Sequence, residues 1–242
     1  MIYINHQKKA IFIHIPKTGG SYIGPTLVKY YGFISYLDII NKRRPDHNII
    51  CKTHLFPRCD TGVPLYDNSF FNKIIGILLY CKTSDYFNKI FNMDENKWNT
   101  YTKFCFIRHP YDRAISGWSH IKQILNYLYT VSLQMYLDND KYSVSDIEYG
   151  HFFMSQTKQI EDIDGKCGVD IIGCFENLES DFICILKKIG FQDNEIIHKP
   201  KKVNVSNKLN NDTLELSVKE IQTLNILFDD DFSNFHYKKL ML

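Results

Sequence analysis

The sequence is short of most features that would commit it to an unusual environment. Glycine (12) and proline (7) are too few among 242 residues for a linker-rich or collagen-like chain. Basic and acidic residues nearly cancel, 29 against 27, and the net charge of +2 creates no global field toward nucleic acid or an anionic membrane. The longest apolar stretch, residues 74–81, is far shorter than the ~20 residues of a membrane-spanning helix. Seven cysteines (51, 59, 81, 105, 167, 174 and 184) form no CxxC pair and no metal-ligand spacing, so no metal is expected. Their odd number, and apolar settings such as Phe104-Cys105-Phe106, predict buried reduced thiols instead of a disulfide framework. The first ten residues run almost directly into a strand and leave no room for a signal peptide or stalk. A cytoplasmic or otherwise soluble protein is expected.

What is present reads as ordinary globular sequence. Hydrophobic residues make up 44% and charged residues 23%, enough to bury one substantial core, and a single domain spanning residues 1–242 is the simplest organisation. Residues 10–15 (AIFIHI) form a β-branched apolar run that stops at Pro16, as a buried strand does. Further strands are expected at 48–53, 103–107 and 170–175. Helices are expected at 21–31 with Ser21 as the cap and Pro25 in the first turn, and from Pro110 to about residue 129. Two more follow, at 176–189, ended by Gly190, and at about 212–228. Residues 58–102, aromatic and lysine-rich, read as a helical insertion, and 199–211 as a polar loop. Strands alternating with helices predict an α/β fold around a mostly parallel sheet. Ligands bind such sheets outside the carboxyl ends of the strands, so the residues just after each strand carry the interest.

After the first strand comes Pro16-Lys17-Thr18-Gly19-Gly20-Ser21, leading into a helix. Two glycines allow a tight turn and close approach of backbone to a ligand. A helix N-terminus, a lysine and two hydroxyls complete the composition of an anion cradle. This is not the nucleotide-hydrolase loop GxxxxGK followed by Ser or Thr, because Lys17 precedes its glycines, and no later strand ends in a magnesium-holding aspartate. After the third expected strand comes Arg108, whose guanidinium fork can grip a phosphate, with Ser116 eight residues further along a helix. Arg113, in the first turn of that helix, reads as structural. After the second comes Lys52-Thr53-His54, where a histidine can serve as a base near neutral pH. Glu176-Asn177 opens a helix and reads as a cap.

Taken together, FIHIPKTGGSYI and FCFIRHPYDRAISGW resemble the 5′-phosphosulfate loop and 3′-phosphate motif of the sulfotransferases that use 3′-phosphoadenosine-5′-phosphosulfate. IIGCFENLESDF, VNVSNK and FDDDFSNFHY extend the resemblance toward carbohydrate-type members, over most of the chain apart from 58–102. The resemblance implies a P-loop-like, three-layer α/β fold. It implies that Lys17, Thr18, Gly19, Gly20 and Ser21 bind the 5′-phosphosulfate, and that Arg108 and Ser116 bind the 3′-phosphate. KTHLFP resembles the KTHLP segment of the small-molecule sulfotransferases, which points to His54 as the catalytic base and Lys52 as support for the transferring group. Carbohydrate-type members vary at this segment, and His109 stands where the family often has another polar residue.

The reaction so implied is in-line transfer of a sulfuryl group to an acceptor hydroxyl, of a carbohydrate above all, with Lys17 and Lys52 neutralising the growing charge. Fewer charges on sulfate than on phosphate make a metal unnecessary. Two other readings compete. A small-molecule kinase would need magnesium-dependent ATP turnover, and a non-catalytic nucleotide-binding protein would keep the pocket without transfer. Neither nucleic acid nor membrane is an expected partner, and a sugar, a protein tyrosine and a small phenol all present a suitable hydroxyl.

Overall fold

A computed structural model describes residues 2–35, 91–124, 132–138, 154–162, 164–200 and 216–241. The expected strand at 48–53, most of the expected insertion and the loop from 201 onward lie outside the described residues.

Five strands form one sheet: β1 (Ile2–Asn5), β2 (Ala10–Ile13), β3 (Ile34–Ser35), β4 (Thr102–Ile107) and β5 (Ile171–Cys174), in spatial order β3-β1-β2-β4-β5. The β1–β2 and β1–β3 pairs are antiparallel, and β2–β4 and β4–β5 are parallel. Among the described residues four strands therefore point one way and only β1 runs against them, which makes this the expected α/β sheet. Helices follow the strands: α1 (Gly20–Tyr30), α2 (Glu95–Thr100), α3 (Pro110–Ile124), α4 (Leu133–Leu137), α5 (Gln156–Ile160), α6 (Leu178–Lys188), α7 (Val218–Leu227) and α8 (Asp229–Asn234).

The apolar runs of β2 and β4 lack alternation because both faces of the central sheet are covered. Ile11, Ile13, Cys105 and Ile107 enter one buried cluster with Trp98, Ile160 and Val169. Ala10, Phe12, Phe104 and Phe106 enter the other, against Ile23 and Leu27 of α1 and Leu178, Phe182, Ile185 and Leu186 of α6. Side chains two apart on a strand share a face, so this division follows from the pleat. A third cluster joins Tyr111, Ala114 and Trp118 of α3 to Ile221, Leu224, Phe228 and Phe232. At the end of the expected insertion, Phe91, Met93, Trp98 and Tyr101 pack into the first cluster. His6 anchors that segment through the Tyr101 hydroxyl (2.8 Å) and the Phe91 carbonyl (2.9 Å).

Three local expectations need correction. Helix α1 starts at Gly20 with Gly19 as its N-cap: the Gly19 carbonyl accepts from the Tyr22 and Ile23 N–H groups, and glycine has no side chain to cap with. Ser21 is exposed and does not cap, and Pro25 falls in the second turn, where it cannot donate to the Ser21 carbonyl. The four cysteines among the described residues are unpaired, but only Cys105 is buried, whereas Cys167 and Cys184 are exposed. Pro110 does begin α3 as expected, since a proline loses nothing where the N–H has no intrahelical acceptor.

Phe12 is fully buried, stacked on Phe104 (5.2 Å between ring centroids) and Tyr3 (5.6 Å). Phe12→Ala is expected to destabilise the fold by about 3–5 kcal/mol. Ile226→Ala, at a side chain 79% exposed, is expected to change stability by less than about 0.5 kcal/mol. Chemical denaturation of the two variants checks the contrast.

Candidate functional site

Two segments meet at the carboxyl end of the parallel strands. The first is the turn after β2, residues 16–19, which enters α1. Gly19 has φ +92°, a left-handed conformation that L side chains rarely adopt, and a Cβ there would lie 2.9 Å from the Phe175 ring. Gly20 has the His14 ring against it, and a Cβ would come within 1.9 Å of His14 Nε2. Lys17 also has positive φ, +69°, so the turn is held in a shape its sequence does not favour locally. Thr18 is fully buried and its hydroxyl donates to the Ile15 carbonyl at 2.9 Å. The N–H groups of Gly20 and Ser21, in the first turn of α1, have no intrahelical acceptor.

The second segment is Arg108-His109 after β4. The Arg108 guanidinium lies over the Phe175 ring, 4.6 Å from its centroid, and Nη1 approaches the Lys17 carbonyl at 3.4 Å. Its Nε is buried and has no hydrogen-bond acceptor among the described residues. Burial lowers the Arg108 pKa, against the opposing influence of Asp112, Glu176, Tyr22 and Tyr237. For Lys17, burial comes first and the charge of Arg108 second, and both act downward, bringing its pKa to about 8. Two cations are thus confined beside a glycine turn, one with a donor left over. That donor set and that charge suit an anion such as a phosphate or sulfate group.

Of the residues picked from the sequence, the structure brings Lys17, Thr18, Gly19, Gly20 and Arg108 together. Ser21 is exposed at the start of α1, and Ser116 is half-buried in α3, which begins two residues after Arg108. Lys52 and His54 lie outside the described residues. Arg113 is structural as expected: fully buried, it donates from Nε to the Pro16 carbonyl at 3.2 Å and so braces the glycine turn. Burial lowers its pKa to about 10, opposed by the charge of Asp231.

Glu176 does not cap the helix that follows β5. Its carboxylate accepts instead from the His109 N–H (2.7 Å) and the Tyr237 hydroxyl (3.0 Å). The His109 ring packs among Tyr111, Phe232 and Tyr237. Sequence reasoning missed Gln156 and Asp231 altogether. Gln156 bonds both to the N–H (2.8 Å) and to the carbonyl (2.9 Å) of Arg108, and Asp231 accepts from the Gln156 N–H at 2.8 Å. Nothing in SQTKQ or FDDDF distinguishes these two from ordinary residues at helix starts.

If Arg108 contributes to the depressed Lys17 pKa, an NMR titration of labelled lysine side chains will find one ammonium with a midpoint near 8. In Arg108→Met that midpoint is expected to rise without regaining the ordinary lysine value, because burial, the larger cause, remains. A midpoint unchanged by the substitution would remove Arg108 as a cause.

A family model described as "Sulfotransferase family" matches residues 1–238, nearly the whole chain and including the segment expected to be an insertion. No curated protein and no solved structure matches significantly. The chain belongs to the sulfotransferase family, and its activity is transfer of a sulfuryl group from a sulfate donor to a hydroxyl-bearing acceptor.

Proposed function

We propose that the donor is 3′-phosphoadenosine-5′-phosphosulfate and that the acceptor hydroxyl belongs to a carbohydrate. The observation that carries the donor assignment is the convergence of Lys17 and Arg108 after neighbouring parallel strands, with Arg108 Nε buried and unsatisfied. A donor with phosphates at both ends of its ribose needs two anion contacts a few ångströms apart. The glycine turn supplies one through Lys17 and the N–H groups of residues 18–21, while Arg108 and Ser116 supply the other. The carbohydrate assignment rests on the resemblance of the IIGCFENLESDF, VNVSNK and FDDDFSNFHY segments to carbohydrate-type members.

In this reading His54 takes the proton of the acceptor hydroxyl as its oxygen bonds to sulfur. The bond from sulfur to the bridging phosphate oxygen breaks, leaving a sulfate ester and 3′,5′-adenosine bisphosphate. Lys17 and Lys52 neutralise charge growing on the departing phosphate and the equatorial oxygens. Positioning and preorganised charge then carry most of the acceleration, as in phosphoryl transfer. A Lys17 held near pKa 8 remains mostly charged at neutral pH, so the cradle is cationic when the donor arrives.

Incubation with the ³⁵S-labelled donor against glycans, tyrosine peptides and phenols tests the reading. Label is expected on a glycan, and label confined to peptide or phenol would overturn the acceptor assignment. In the same assay His54→Ala is expected to lose ~10²–10⁴-fold in turnover, the range for general-base assistance, with donor affinity unchanged. Wild-type turnover by that variant would exclude His54 as the base.

A further inference from the structure

Gln156 is fully buried, carries no group that can take part in sulfuryl transfer, and yet commits both ends of its carboxamide to one residue. Its Oε1 accepts from the Arg108 N–H at 2.8 Å, and its Nε2 donates to the Arg108 carbonyl at 2.9 Å. This pair of bonds closes on the main chain of Arg108 just past the end of β4. It fixes the base from which the guanidinium is aimed, whatever the side chain touches.

The carboxamide is itself held in one orientation. Asp231, fully buried on α8, accepts from the Gln156 N–H at 2.8 Å, and its Oδ2 also lies 3.4 Å from Gln156 Nε2. Its other oxygen accepts from the Thr157 N–H (2.7 Å) and hydroxyl (2.9 Å). A carboxylate beside Nε2 admits only the amide's donor end on that side, so Oε1 must face the Arg108 N–H. Two contacts of the Arg108 side chain among the described residues are looser: a ring contact with Phe175 and a 3.4 Å bond to the Lys17 carbonyl.

We propose that Gln156, oriented by Asp231, is a positioning residue that aims Arg108 and thereby sets the preference of the site for a 3′-phosphorylated nucleotide. This rests on the assignment of Arg108 to the 3′-phosphate made above. A residue that only fills space would affect stability, or weaken every nucleotide alike. A residue that aims Arg108 affects selectively those ligands that carry the phosphate Arg108 holds.

The test is calorimetry with 3′,5′-adenosine bisphosphate and with adenosine 5′-monophosphate, on wild type, Gln156→Met and Gln156→Glu. Methionine keeps the buried volume and removes both hydrogen bonds. Glutamate keeps an acceptor for the Arg108 N–H but sets a second carboxylate against Asp231 and the Arg108 carbonyl. Wild type is expected to prefer the bisphosphate, and Gln156→Met to lose about tenfold of that preference, in keeping with the loss of one or two buried hydrogen bonds. Affinity for the monophosphate is expected to stay constant, and Gln156→Glu to lose at least as much preference. If neither variant folds by circular dichroism, Gln156→Asn, too short to keep both bonds, is read the same way. An unchanged preference, or equal weakening of both nucleotides, overturns the positioning role. Failure of the wild type to distinguish the nucleotides would instead remove the Arg108 assignment, and the proposal with it.

Discussion

Holding Lys17 and Arg108 together at the end of the parallel sheet is unfavourable, and at Arg108 the charges of Asp112 and Glu176 oppose part of the cost. Burial and mutual charge both lower the Lys17 pKa, to about 8, and burial lowers that of Arg108. A pair of cations in this state is stabilised by any anion that enters between them. The glycines let the turn pack closely beside them: Gly19 adopts the left-handed conformation against the Phe175 ring, and Gly20 admits the His14 ring where a side chain would collide.

The rigidity of the site comes from groups outside it. Asp231 is the junction. Through Gln156 it reaches the main chain of Arg108, and its charge opposes the lowering of the buried Arg113 pKa. Arg113 in turn donates to the Pro16 carbonyl at the start of the turn. One buried carboxylate on the last described segment is therefore tied to both cationic halves. Glu176, accepting from the His109 N–H and the Tyr237 hydroxyl, fixes the residue after Arg108 from the side of β5. Local sequence supplies the cations, and long-range contacts aim them.

That division explains what was legible in the sequence. The runs around Phe12 and Phe104, each stopping at a proline or an arginine, mark buried strands and hence a strand-end site. Lys17, the two glycines and Arg108 stand out because their chemistry is unusual at such ends. Strands β1 and β3 were not anticipated: one pairs through a hairpin too close to the N-terminus to show a pattern, and the other is two residues long. Ser21 and Glu176 misled because both look like caps, whereas the Gly19 carbonyl and the His109 and Tyr237 donors decide their surroundings. Gln156 and Asp231 gave no signal, since their partners lie 48 and 75 residues away and only the fold brings them close.

The central claim is that an enclosed pair of cations is completed by the phosphates of the donor. Calorimetry of 3′,5′-adenosine bisphosphate binding at pH 8, in buffers of different ionisation enthalpy, counts the protons exchanged. Lys17 is about half protonated there in the free protein, and an anion beside it raises its pKa, so uptake of about half a proton is expected. That uptake disappears in Lys17→Met. Binding without proton uptake, or the same uptake in the variant, would contradict the account.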